Sequence, residues 1–116
     1  MAEITRDHLT LAALAAGHLA GGPDYWPQAL ERTLADGTDC YREWRPHLDD
    51  GDAFGLSVAL LMYVDHRGTG ATARVVGGDP VRVDHNGTID DAARAAREAV
   101  TLCAAAVGER MREGGR

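Results

Sequence analysis

Apolar residues recur at three- and four-residue spacing in four stretches of the chain, and gather in short β-rich runs between them. The first stretch predicts a helix over residues 5–20. Thr5 can cap it, Asp7 suits its first turn, Leu11, Leu14 and Ala15 share a face with His18 and Leu19 next in line, and Gly21-Gly22-Pro23 ends it. The second, residues 25–37, predicts a short helix: Pro27 is tolerated in a first turn, Leu30 and Leu34 are i, i+4, and Gly37 stops it. In the third, Phe54, Val58 and Leu61 fall at i, i+4 and i+7 and predict the buried face of a helix that Leu56 and Leu60 widen. Gly55 inside it costs about 1 kcal/mol relative to alanine, which suggests close packing there. The fourth starts at Thr88, with Asp90 and Asp91 in its first turn. Ile89, Ala92, Ala96, Val100, Cys103, Val107 and Met111 sustain its apolar stripe, and Arg94, Arg97, Glu98 and Thr101 read as solvated.

The strands lie between these helices. Cys40–Trp44 reads as a short one, and Leu61–His66, Ala71–Val76 and Val81–Asp84 as three more. Gly68-Thr69-Gly70 and Gly77-Gly78-Asp79-Pro80 turn the chain between the last three. The order α, α, β, α, β, β, β, α predicts an α+β fold, a small antiparallel sheet of three to four strands packed against helices. At 116 residues the chain is read as a single domain, 1–116, with a tail that frays from about residue 113.

Residues 44–60 organise this reading. Pro46 pushes Arg45 towards extended geometry, Asp49 and Asp50 can cap the helix that follows, and Asp52 suits the dipole in its first turn. Trp44, Pro46, Leu48, Asp49, Asp50, Gly51, Asp52, Ala53, Leu56, Val58 and Leu60 resemble the phrase that marks the phage ABA sandwich domain family. Arg45 stands where that phrase has Asn, His47 is inserted, and Gly55 replaces a common Arg. The resemblance implies an α-β-α sandwich-like arrangement and a phage or prophage setting. It implies no catalytic residues.

Charge and composition narrow the function. The net charge of −6 argues against direct binding to nucleic-acid phosphates and permits a partner with a basic surface. Every basic side chain is Arg. Cys40 and Cys103 have no metal-like spacing and read as free thiols in a reducing compartment, the cytoplasm of a host bacterial cell. Arg6, Asp7 and His8 interrupt the first apolar run, so no signal peptide is expected, and no stretch has the length of a membrane span.

Candidate chemistry is sparse. His47, Asp49, Asp50 and Asp52 offer oxygen and nitrogen ligands, but they lack the alternating spacing and distal Glu of a calcium loop, and helix capping accounts for the carboxylates. The pairs Asp65/His66 and Asp84/His85 end two strands and would form an acid-base or metal site if those ends converged. Ser57 is the one serine and lies mid-helix beside no base, against a serine hydrolase. No helix directly follows the glycine turns, against a phosphate loop.

No catalytic, cofactor or metal site is therefore assigned. The sequence points to a phage or prophage accessory protein that binds another protein, in its sharper form an anti-CRISPR-like inhibitor of a host defence system. Candidate partner-binding residues are Tyr25, Trp26, Asp36, Asp39, Tyr41 and Glu43, an acidic span with aromatic anchors. A small metal protein or enzyme using the Asp-His pairs is the rival class, and a self-associating phage structural component, such as a homodimer, is a third.

Overall fold

The longest helix, α3 (Ile89–Gly114), is the element against which the others pack. Thr88 starts it: Asp91 N donates to the Thr88 hydroxyl at 3.2 Å, and Ala92 N donates to the Thr88 carbonyl at 2.9 Å. Ala95, Ala99 and Ala104 on α3 are fully buried, and such small side chains let neighbours come close. The computed structural model describes residues 4–17 and 27–114. Among them the chain is an α+β fold of three helices and two small antiparallel sheets.

The larger sheet has the order β3 (Tyr63–Arg67), β4 (Gly70–Arg74), β5 (Val81–Asp84) and packs one face on α3. Strand alternation sets the two faces. Ala71, Ala73 and Val83 are buried with the helix, while Tyr63, Arg67, Arg74 and Arg82 on the other face are exposed. Helix α1 (Arg6–Ala16) crosses α3 beside Gly108, and α2 (Asp50–Ala59) lies on α3 nearer its start. Trp44 is 2% exposed, and Cys103 is buried in the same cluster.

The smaller sheet is a hairpin of β1 (Gln28–Thr33) and β2 (Asp39–Glu43). It replaces the helix expected over 25–37, of which residues 25 and 26 lie outside the described residues. The reason is the turn. Gly37 adopts φ 88°, Leu34 N donates to the Thr38 carbonyl at 2.8 Å, and Asp36 accepts from Thr38 N, so Thr33 is brought opposite Asp39. Cross-strand pairing then overrides a weak i, i+4 signal. The strand expected at 40–44 thus pairs with β1 and not with the main sheet.

Other expectations change in detail. Helix α1 ends at Ala16, not at residue 20, because Gly17 takes the left-handed conformation and its N–H closes on Leu14 and Ala13 carbonyls. Thr5 does cap it, in a reciprocal capping box with His8. Helix α3 runs through Gly114, and the rest of the tail expected to fray, residues 115 and 116, lies outside the described residues. Arg94, Arg97 and Glu98 are only partly exposed and Thr101 is fully buried, because α3 is flanked by α1, α2 and the sheet and has little solvated face.

The largest correction is the face of α2. Leu56, Ala53 and Asp52 point inward, whereas Phe54, Val58 and Leu61 are 72%, 54% and 79% exposed. Gly55 has nothing within 4 Å of where a Cβ would sit, so it marks no close packing.

Candidate functional site

Two surfaces carry the residues that could engage a partner. The first is the β1–β2 hairpin. Among the described residues it makes no extensive contact with the helices or the larger sheet, and it is called the arm below. Its base is tied down where Trp44 N donates to the Pro27 carbonyl at 2.9 Å and where the Arg42 guanidinium grips Asp52.

Strand alternation places Asp39, Tyr41 and Glu43 on one face of β2, with Asp36 at the tip. Four of the six residues singled out in the sequence therefore come together, and Tyr25 and Trp26 lie outside the described residues. Asp39 accepts the Thr33 hydroxyl at 2.8 Å, and hydrogen bonds from the Thr38 hydroxyl and backbone hold the Asp36 carboxyl below its ordinary value. Among the described residues no ion pair engages either carboxylate, so both present net charge. Glu43 differs: Arg45 neutralises it at 2.6 Å. Tyr41 is 47% exposed beside them, an apolar body with a polar tip.

The second surface is an apolar groove of about 740 Å³ between α2, β3 and α3. Phe54, Val58 and Leu61 form one wall, and Met62, Val64, Ala96 and Val100 continue the lining. Arg97 closes one end, paired with Asp50 at 2.8 Å. This groove is hidden in the sequence because the Phe54, Val58 and Leu61 stripe has the spacing of a core face, yet it is exposed. The available signal was that α2 is apolar on both sides, Leu56 and Leu60 as well as Phe54 and Val58, and a helix apolar all round needs a second cover.

The rival Asp-His constellation does not assemble. β3 and β5 are the two edges of the sheet with β4 between them, which puts Asp65/His66 and Asp84/His85 two strand spacings apart, roughly 10 Å. Asp65 and His66 also point to opposite faces of β3, and Asp65 pairs with Arg67 while Asp84 pairs with Arg82. Among the described residues no group of three His, Cys, Asp or Glu side chains is placed to hold a metal ion. The Asp49 cluster has another role: Asp49 caps α2 by accepting Asp52 N at 2.8 Å. No helix among the described residues is long and apolar enough to cross a membrane.

His47 sits between the two surfaces, where Arg97 donates to its backbone carbonyl at 3.3 Å. Its buried Nδ1 has no hydrogen-bond partner among the described residues, and burial, only partly opposed by Glu98, pushes its pKa below the ordinary imidazole value. The unfolded chain then binds a proton more readily than the folded one. Stability from this site is complete above about pH 6.5 and declines as the pH falls below it. Urea titrations should show that loss in the wild type, and His47→Gln should flatten it. An unchanged pH profile in the variant would place the dependence elsewhere.

No family model, curated protein or solved structure matches the chain.

Proposed function

We propose that this chain acts by binding another protein through its acidic arm, as a phage or prophage accessory protein. The observation that carries the reading is the arm itself. Asp36, Asp39 and Tyr41 share a hairpin that among the described residues has no extensive contact with the packed body, and two of them are carboxylates that no ion pair engages among those residues. The phage setting rests on the resemblance of residues 44–60. In its sharper form the arm enters a basic groove on a nucleic-acid-handling partner and inhibits a host defence system. Charge complementarity would mainly speed association, and the aromatic contact would set residence time.

The test compares the wild type with Asp36→Arg/Asp39→Arg in affinity capture from bacterial lysate, read by mass spectrometry. Glu43 is left intact because it holds Arg45. A specific partner should be enriched by the wild type and lost in the variant, with circular dichroism unchanged. Raising salt from ~50 to ~500 mM should weaken that complex, since the Debye length shrinks several-fold. A partner retained equally by both proteins and at both salts would overturn the acidic-arm reading.

A further inference from the structure

Among the described residues β3 is an edge strand, and the ladder shows which of its peptide groups are open. His85 N donates to the Thr69 carbonyl at 2.8 Å, so Thr69, Ala71 and Ala73 turn their peptide groups to β5. Gly70, Thr72 and Arg74 therefore bond to β3, through Arg67, Asp65 and Tyr63. Val64 and His66 are left directing their N–H and C=O groups off the edge of the sheet. Natural edges are shielded by short length, a proline, a bulge or charged side chains. β3 is short, at five residues, but it has no proline, its register with β4 runs without a break, and its charged Asp65 and Arg67 pair with each other on the face away from the helices. The side chains of the same two residues line the apolar groove beside Phe54, Val58 and Leu61.

We propose that this edge is a homodimer interface. β3 pairs antiparallel with β3 of a second copy about a two-fold axis at Asp65, which joins the two three-stranded sheets into one. The complementarity is internal to the strand. In this register Val64 lies opposite the partner's His66, and His66 opposite the partner's Val64, so every open N–H and C=O of the two residues is used. Centring on Val64 instead sets His66 against the partner's Met62, whose N–H already donates to Ser57, and centring on His66 sets Val64 against the partner's Gly68 in the β3–β4 turn, beyond the strand.

Charge fits the same axis. Asp65 meets the partner's Asp65, which alone would repel. Each carboxylate is held by its own Arg67 at 3.0 Å and lies diagonal to the partner's Arg67, so two carboxylates meet two guanidiniums. On the helix side, the exposed Phe54, Val58 and Leu61 of both copies come to one junction and cover apolar area that each leaves open alone. The acidic arm lies on other elements, so this interface and the arm reading stand or fall separately.

Sedimentation velocity across the micromolar range should show a reversible species of twice the 12.4 kDa chain mass. His66→Pro removes an N–H that bonds nothing among the described residues of one chain, and it should weaken the dimer on the order of thirtyfold, as expected for two hydrogen bonds lost across the axis. Arg67→Asp puts four carboxylates at the axis and should weaken it at least as much. Hydrogen exchange on the wild type decides the matter even if a variant fails to fold. The Val64 and His66 amides should gain protection as concentration rises, and the Asp65 amide, bonded to β4, should not. A chain that stays monomeric, a dimer indifferent to both variants, or Val64 and His66 amides indifferent to concentration would overturn the interface.

Discussion

Replacing Gly108 with alanine should lower the melting temperature by roughly 10 °C, a loss of about 2–3 kcal/mol for a domain of this size. Alanine is ordinarily the better helix residue, by about 1 kcal/mol. Here a Cβ would land on the Leu11 carbonyl and crowd its Cα, so α1 must move away from α3. The obstacle is backbone, which cannot rotate aside as a side chain would. The overlap then outweighs the propensity gain, and α1 loses its seat at the crossing. Gly55→Ala is the control of opposite sign. Nothing lies within 4 Å of that position, so it should raise stability by up to about 1 kcal/mol. Thermal melts of the two variants decide the matter, and a Gly108→Ala protein as stable as the wild type would mean the helices are not in contact there.

These two glycines show where sequence reasoning stopped. Both sit in helices, and both cost the same propensity, so local pattern cannot tell the close crossing from the empty one. Caps, by contrast, are local chemistry, and Thr5, Asp49 and Thr88 all cap the helices that their positions foretold. The three strands from Tyr63 to Asp84 were legible because β-formers alternate between glycine turns. The β1–β2 hairpin was not, since Leu30 and Leu34 mimic a helical pair and the competing signal, Asp36-Gly37 reversing the chain, gains force only through pairing with β2.

The same division holds for the candidate site. The acidic residues of the arm were found from composition alone, and alternation along β2 then places Asp39, Tyr41 and Glu43 on one face. The groove was hidden because apolar periodicity says that a stripe needs a cover, not whether the cover belongs to the same chain. Phe54, Val58 and Leu61 keep helical spacing as faithfully as a core stripe does, yet they face out. What decides is which side of α2 carries Asp52, and a buried carboxylate has no signature in hydropathy.

Asp52 is accordingly the residue whose loss should do most to the arm. It is 6% exposed, and it accepts two guanidinium N–H groups from Arg42 and the backbone N–H of Arg45 at 2.9 Å. It thus ties the base of the hairpin to the first turn of α2. Asp52→Ala should cost roughly 2–3 kcal/mol, the range for stranding charged and backbone donors that lose a buried acceptor. The lower part of the buried-pair range applies because the Arg42 side chain is 40% exposed and can recover water. Asp49→Ala should cost about 1 kcal/mol, as a lost cap does. Asp50→Ala should cost less still, since its side chain is 80% exposed and its ion pair with Arg97 is a surface contact. The Asp52 variant should also be distinguishable by where it fails. A two-stranded hairpin is marginal alone, so amides of β1 and β2 should lose protection from exchange at denaturant concentrations where α3 remains intact. Asp52→Asn keeps one acceptor oxygen and should fall between alanine and the wild type. If Asp52→Ala changes stability no more than Asp50→Ala, and the arm amides exchange as before, the hairpin is anchored by Trp44 and Pro27 instead, and the Arg42–Asp52 pair is incidental to holding the acidic surface in place.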